Sequence, residues 1–129
     1  MTKTVLIVED NALNRRLFHE VLSDAGYLVL EVVDGESAIE HCLAAPPDLM
    51  LLDLGLPRLA GFEVVRRLRA NPDFPRIPII AVSAFVSGSD VQAALESGCD
   101  DHAPKPLRPE ELRRLVLRHI GPATPGSED

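Results

Sequence analysis

Three short apolar runs without polar alternation stand out along the chain, at residues 5–8, 49–52 and 79–82. Each is followed by polar or turn-forming residues. Such runs are typical of strands buried on both faces, as in a parallel sheet covered by helices. The segment 27–32 has mixed polarity and predicts a strand at the edge of the sheet, and a short strand is predicted around 101–104.

Between these runs, apolar residues recur at the spacing of an amphipathic helix. The first such segment follows Asn11, a suitable N-cap, and ends at Gly26. The side chains predicted to form its buried face are Leu13, Leu17, Val21 and Leu22, with Phe18 and Ala25 at the margin. Helices are predicted over five ranges in all: 14–25, 37–45, 61–70, 91–97 and from Pro109 onward.

Strands and helices alternate five times along the chain. This order predicts an α/β fold with right-handed crossovers and helices on both faces of a parallel sheet. A doubly wound five-stranded sheet has the order 2-1-3-4-5, so we expect that order, flanked by five helices. The 129 residues suit one domain, residues 1–120. The segment 121–129, rich in Gly, Pro, Ser and acidic residues, is expected to be a disordered tail.

Charge and composition narrow the class of protein. A net charge of -7 argues against a general nucleic-acid binder, which would carry a basic face. The sequence has no secretory signal and no apolar run of membrane-spanning length, so we expect a cytoplasmic protein without membrane insertion. Cys42 and Cys99 are too few for a disulfide framework and lack metal-ligand spacing. We expect them to be buried or half-buried free thiols.

Polar residues follow four of the predicted strands. Asp10 comes shortly after the first strand, Asp53 ends the third, Ser83 ends the fourth and Lys105 follows the fifth. Because the carboxyl ends of parallel strands lie at one edge of a sheet, these side chains are expected to meet there. Asp53 carries the most information, since a charge that ends a strand buried on both faces needs a partner or a use.

A cation would relieve the repulsion between carboxylates crowded at this edge. Mg²⁺ is the natural choice, because it prefers oxygen ligands and keeps positions for water and phosphate oxygens. Asp10 and Asp53 would bind it directly, and Glu9 directly or through water. A carboxylate beside such a metal can attack phosphorus, with Lys105 supplying positive charge and Ser83 a hydroxyl donor. Helix capping by Glu9 or Asp10, and a purely structural strand end at Ser83, remain open as simpler interpretations.

Four motifs, taken in order, resemble the receiver domains of response regulators in two-component signalling. They are Glu9-Asp10-Asn11, Asp53-Leu54-Gly55-Leu56-Pro57 with Gly61, Ser83-Ala84, and Lys105-Pro106. Each motif is weak alone, but the four together are specific. The resemblance covers about residues 3–120, and the first motif with Leu17-Phe18-His19 is similar to single-domain regulators of the DivK type.

This resemblance implies a CheY-like fold and roles for individual residues. Asp53 would be the phosphoacceptor, and Ser83 the switch hydroxyl. Lys105, joined to Pro106 by a cis peptide, would contact the phosphoryl group. The implied Mg²⁺ ligands are the carboxylates of Glu9, Asp10 and Asp53 and the backbone carbonyl of Gly55.

Three positions depart from the family pattern. His102 stands where an aromatic residue usually precedes the lysine by three positions and turns inward on activation. Pro104 removes a backbone donor from the last strand, and Gly55 leaves a gap beside the phosphoryl site. His102 is therefore either the switch residue, with a sensitivity to pH, or a partly buried structural histidine.

The resemblance also implies two protein-binding surfaces. An output surface would include Ser83, Phe85 and His102; for Phe85, ordinary core packing is the alternative. A docking face for a histidine kinase or phosphotransfer protein would lie on the first helix, at Asn14, Arg15 and Phe18. A solvated helix surface is the simpler alternative there.

The predicted function is that of a stand-alone response regulator. It would catalyse phosphoryl transfer from a phosphohistidine of a histidine kinase or phosphotransfer protein to Asp53, and its own dephosphorylation, without being a conventional enzyme. As a monomer or weak dimer, it would then bind a downstream protein. The alternative is a phosphorylation-independent interaction module, suggested by His102, Gly55 and Pro104. A P-loop phosphotransferase is excluded because no Gly-x-x-x-x-Gly-Lys motif occurs, and a haloacid-dehalogenase-type phosphatase would require Asp at position 55.

Overall fold

The computed structural model describes residues 2–84 and 88–124. Strands and helices alternate along it as β1 (Thr4–Val8), α1 (Ala12–Asp24), β2 (Leu28–Val32), α2 (Gly35–Ala44), β3 (Leu49–Asp53), α3 (Gly61–Ala70), β4 (Ile79–Ser83), α4 (Gly88–Ser97), β5 (Asp101–Pro104) and α5 (Pro109–Ile120). The strands form one parallel sheet in the order β2-β1-β3-β4-β5. The predicted fold class and strand order are confirmed.

The apolar runs of β1, β3 and β4 form the middle of the sheet and are buried on both faces. Alternate side chains point to opposite faces, so each strand contributes to two separate cores. Met50 and Leu52 belong to the core covered by α2, α3 and α4, whereas Leu49 and Leu51 belong to the core covered by α1 and α5. This two-sided burial explains why the runs carry no polar alternation.

Helix α1 buries Val21 and Leu22 as predicted, but its buried face is centred on Phe18 and excludes Leu13 and Leu17. Phe18 is only 3% exposed and packs in the core with Val21 and Leu22, whereas Leu13 is 80% exposed and Leu17 41% exposed. The apolar residues of α1 cover nearly half of its circumference, which is wider than the stripe the sheet can cover. Packing against the sheet selects the part of that stripe centred on Phe18 and leaves the first two leucines at the surface.

The segment after α5 has fixed contacts at its start, in contrast to the disorder expected from residue 121. The carbonyl of Ala123 accepts a hydrogen bond from the backbone N–H of Lys3 (2.7 Å), and Ala123 is buried. The Tyr27 hydroxyl donates to the carbonyl of Gly121 (2.6 Å), and the Lys3 ammonium donates to the carbonyl of Ile120. Composition could not reveal these bonds because their acceptors are backbone carbonyls. Residues 125–129 lie outside the described part of the chain.

Both cysteines are buried free thiols, as predicted. Burial raises the pKa of the Cys42 thiol to about 11, which keeps it in the unreactive protonated form. Within residues 2–84 and 88–124, no helix combines the length and the apolar character needed to cross a bilayer.

Candidate functional site

Asp53 lies at the carboxyl edge of the sheet, where β3 ends between β1 and β4. Its side chain is almost completely buried, and each of its oxygens has a partner. Oδ1 accepts a hydrogen bond from the backbone N–H of Gly55 (2.9 Å), and Oδ2 accepts one from Lys105 Nζ (3.2 Å). The carboxylate is thus held in one orientation by the loop that follows it and by the cation of Lys105, which comes directly after β5.

Gly61 explains why the loop after Asp53 is so closely packed. A Cβ atom at this position would lie 2.8 Å from Leu54 Cα and 2.9 Å from the Asp53 carbonyl oxygen. Helix α3 can begin against this loop only because residue 61 has no side chain. At Gly55, by contrast, an added Cβ would meet Asp53 Oδ1 at an ordinary 3.5 Å, so the glycine there leaves open space beside the carboxylate.

Glu9 and Asp10 form the turn between β1 and α1, next to Asp53. Glu9 is 1% exposed, and its Oε2 accepts a hydrogen bond from the backbone N–H of Asn11 (3.1 Å), while Asp10 is exposed. Glu9, Asp10 and Asp53 each offer a carboxylate oxygen, and these oxygens all lie within 4.8 Å of one another. The strand order produces this meeting, because β1 and β3 are neighbours.

Lys105 bridges two of these carboxylates. Its Nζ lies 2.9 Å from Glu9 Oε1 and 3.2 Å from Asp53 Oδ2, and its side chain is 16% exposed. Its backbone N–H donates to the Ser83 carbonyl (2.8 Å), and the peptide bond to Pro106 is cis, as the family resemblance implied. Among the described residues of this site, three carboxylates face the one ammonium group of Lys105, which leaves a surplus of two negative charges. A divalent cation matches that surplus.

The electrostatics reflect this crowding. Burial raises the pKa of Glu9 above its ordinary value, and the nearby Asp53 charge raises it further, against the lowering effect of Lys105 and the Asn11 N–H. Burial alone would lower the pKa of Lys105, but hydrogen bonding and attraction to Glu9 and Asp53 raise it. Lys105 is therefore a charged ammonium at neutral pH, and the surplus charge falls on the carboxylates. Closely spaced hard oxygen donors of this kind fit Mg²⁺.

Ser83 of β4 and His102 of β5 meet on neighbouring strands, on the β4 side of Asp53. Ser83 Oγ lies 3.2 Å from His102 Nε2, and both side chains are half-buried. The imidazole therefore contacts the hydroxyl that the sequence indicated as the switch. Phe85, predicted for the same surface, lies outside the described residues.

The residues predicted to dock a partner on α1 are not all at the surface. Phe18 is buried in the core, so the prediction that its side chain lies on a docking face is wrong. Arg15 is only 22% exposed, because its guanidinium reaches back to the Glu9–Asp10 turn, and Asn14 is half-buried. Leu13 and Leu17 are the large apolar side chains of the helix that are exposed. The sequence contained no signal for the Arg15 contact, because a bond to a backbone carbonyl has no residue-type signature.

The model of the response regulator receiver domain family matches residues 5–117 of the chain. The polar-differentiation response regulator DivK of Brucella ovis is 34% identical over 123 residues, which are 95% of this chain and 100% of the relative. The similarity therefore extends over the whole of that regulator.

Two solved structures are similar at the level of the fold. The receiver domain of a sensor histidine kinase from Pseudomonas aeruginosa, with a magnesium ion coordinated in its active site cleft, has a TM-score of 0.86 and 35% identity. The matched region covers 94% of this chain and 99% of the Pseudomonas chain. The receiver domain of the Saccharomyces cerevisiae response regulator Ssk1, crystallised with the histidine phosphotransfer protein Ypd1, has a TM-score of 0.84 and 26% identity, covering 92% and 89%. Sequence, fold and site agree: the chain belongs to the response regulator receiver domains of two-component signalling.

Proposed function

We propose that this chain accepts a phosphoryl group on Asp53 from a phosphohistidine of a histidine kinase or phosphotransfer protein. The observation that carries the proposal is the position of the Asp53 carboxylate, buried between an acidic pair and the Lys105 ammonium. Mg²⁺ would be held by Glu9, Asp10 and Asp53, with the Gly55 carbonyl as a further ligand. The Pseudomonas receiver domain, which has magnesium in its cleft, supports this choice of metal.

The transfer is a substitution at phosphorus. An Asp53 oxygen forms the new O–P bond, the N–P bond of the phosphohistidine breaks, and the imidazole nitrogen leaves with the electron pair. When bound, Mg²⁺ supplies neutralisation of the charge on the phosphoryl oxygens. Lys105 Nζ, 3.2 Å from Asp53 Oδ2, is placed to balance further charge on oxygens joined to that side of the carboxylate. The Gly55 N–H keeps the carboxylate from rotating away.

Ser83 and His102 are the proposed route from the phosphoryl group to a downstream protein. A phosphoryl oxygen on Asp53 would accept a hydrogen bond from the Ser83 hydroxyl, which must then change its contact with His102 Nε2. His102 also lines a surface depression of about 220 Å³ between β5 and α5, together with Leu107, Glu111, Arg114 and Leu115 among others. A rearranged imidazole would alter that surface, which is how phosphorylation would change the affinity for a downstream protein.

The proposed docking site for the phosphodonor is the exposed apolar pair of α1. Leu13 and Leu17 are one helical turn apart and are 80% and 41% exposed. They lie on the helix that begins at the acidic turn, so a helical partner packed there would have its histidine near Asp53. The yeast Ypd1–Ssk1 complex supports a phosphotransfer protein as the class of partner. Leu13 and Leu17 replace the buried Phe18 in this role.

The test is phosphorylation by a small-molecule donor. The chain is incubated with Mg²⁺ and phosphoramidate, and its intact mass is measured. We expect one phosphoryl group on the wild type and on Asp24→Asn, an exposed acid at the far end of α1, and none on Asp53→Ala or in the presence of a chelator. An adduct undiminished in Asp53→Ala, or no adduct on the wild type, would overturn the proposal.

The second candidate is a receiver fold that binds its partner without phosphorylation. The Ser83–His102 contact favours it, because the ring occupies the hydroxyl that a phosphoryl group on Asp53 would need. Gly55 and Pro104 also depart from the family pattern. Beryllofluoride, a mimic of the phosphoryl group, separates the two. A partner affinity that is the same with and without beryllofluoride, and the same in Asp53→Asn, would favour this candidate.

A further inference from the structure

Arg15 contacts the back of the acidic turn. Its Nη1 lies 3.0 Å from the carbonyl oxygen of Glu9 and 3.3 Å from that of Asp10, and donates a hydrogen bond to each. These are the backbone oxygens of the same two residues whose carboxylates face Asp53. Arg15 therefore holds the main chain of the acidic pair, rather than its charged groups.

The guanidinium is itself anchored on β2. Arg15 Nε lies 3.2 Å from Glu31 Oε1, and the other Glu31 oxygen lies 2.5 Å from His19 Nδ1. Glu31 is paired in register with Ile7 of β1. Arg15 thus joins three elements: the β1–α1 turn, helix α1 and the edge strand. A planar guanidinium suits this task because it donates in several fixed directions at once.

We propose that Arg15 is a positioning residue for the Mg²⁺ site. It braces the Glu9–Asp10 turn so that both carboxylates stay directed at Asp53 although the three negative charges repel one another. The inference rests on the proposed function, since it concerns the same metal site. Partners that orient metal ligands from behind typically change metal affinity by tenfold or more when removed.

The charge of Arg15 makes the direction of the effect informative. A positive charge near a cation site disfavours binding, so simple electrostatics predicts that Arg15→Ala binds Mg²⁺ more tightly. Bracing of the turn predicts that Arg15→Ala binds Mg²⁺ more weakly. Without the brace, ordering the ligands costs part of the binding free energy. Arg16 is the matched control: it is the next residue on the same helix, carries the same charge, is 80% exposed and pairs with Glu20.

The experiment is a calorimetric titration of folded, metal-free protein with Mg²⁺, with circular dichroism to check the fold of each variant. We expect Arg15→Ala to weaken Mg²⁺ binding by about tenfold. Arg15→Lys, which keeps the charge but loses the fork, and Glu31→Gln, which loosens the anchor, are expected to weaken it by smaller factors. Arg16→Ala is expected to stay within about twofold of the wild type. Equal or tighter binding by folded Arg15→Ala would overturn the inference.

Hydrogen exchange of the metal-free protein gives a readout that needs neither metal nor phosphoryl donor. Arg15→Lys and Glu31→Gln are expected to speed exchange of the amides of residues 9–11, while Arg16→Ala leaves them unchanged. Should Arg15→Ala not fold, these two milder variants carry the test. A wild type that binds no Mg²⁺ would refute the proposed function, and exchange at residues 9–11 unchanged in both variants would refute the brace itself.

Discussion

Two clusters of ion pairs lie at opposite edges of the same sheet and are built in opposite ways. At the amino edge, the Asp100 carboxylate accepts hydrogen bonds from Arg69 Nη2, Arg76 Nη2 and the backbone N–H of Ile79, all at 2.8 Å. One negative charge there faces two positive ones. At the carboxyl edge, three carboxylates face the single ammonium of Lys105.

The comparison separates a structural cluster from a functional one. A buried ion pair contributes to stability only when its charges and lone pairs are satisfied, and the Asp100 cluster meets that condition for its carboxylate. The cluster around Asp53 does not meet that condition. Its surplus negative charge costs stability when no metal ion is bound. Such a cost is retained where it serves binding or chemistry, which is why the carboxyl edge is the candidate site.

Lys105→Met gives the largest expected effect and would break the functional cluster. It leaves Glu9 and Asp53 buried without their cation, so the metal-free protein should lose about 3 kcal/mol of unfolding free energy. Phosphorylation of Asp53 by phosphoramidate should slow by about 100-fold, because a charge on the phosphoryl oxygens goes unbalanced. Urea denaturation and the rate of adduct formation measure the two effects. A rate unchanged from the wild type would remove Lys105 from the site.

Arg69→Met is the matched change at the amino edge. The Arg69 side chain is 15% exposed, and Asp100 keeps Arg76 and the Ile79 N–H as partners, so we expect a loss of about 2 kcal/mol of unfolding free energy. Mg²⁺ affinity and the rate of phosphorylation should not change. Weaker Mg²⁺ binding or slower phosphorylation in Arg69→Met would contradict the division into a structural cluster and a functional cluster.

Glu9→Gln gives the smallest expected effect on stability, with the opposite sign. Burial and the Asp53 charge raise the pKa of Glu9, so its charged form is less favourable in the folded protein than in the unfolded chain. The amide, which keeps the shape without the charge, should stabilise the metal-free chain slightly at neutral pH and weaken Mg²⁺ binding by about tenfold. Lower stability and unchanged Mg²⁺ binding would argue that Glu9 is a structural partner of Lys105.

The pH dependence of folding stability follows from the same raised pKa of Glu9. A raised folded pKa means that the folded chain holds the Glu9 proton more tightly than the unfolded chain does. This contribution to stability is present below 4.5, the ordinary pKa of a glutamate carboxyl, and is lost as the pH rises through the folded pKa. The gain from Glu9→Gln should therefore be small near pH 4.5 and grow with pH. Denaturation of both proteins across that range, without metal, measures it.

Sequence patterns predicted the sheet and most of the candidate site. The apolar runs identified the inner strands, and the common direction of parallel strands was enough to bring Glu9, Asp10, Asp53 and Lys105 together. The buried face of α1 was predicted correctly at Val21 and Leu22 and wrongly at Leu13, because Leu13 and Phe18 both fit a helical period and only packing on the sheet chooses between them. The Arg15 brace and the contacts of Ala123 use backbone carbonyls, which every residue has.

The most direct test of the contrast between the two edges is a calorimetric titration of the metal-free wild type with Mg²⁺, beside Asp53→Asn and Asp24→Asn. The surplus charge at the carboxyl edge predicts one ion bound per wild-type chain. The affinity should fall at least tenfold in Asp53→Asn and stay within about twofold in Asp24→Asn. No binding by the wild type, or equal binding by Asp53→Asn, would contradict the assignment of the carboxyl edge as the metal and phosphoryl site.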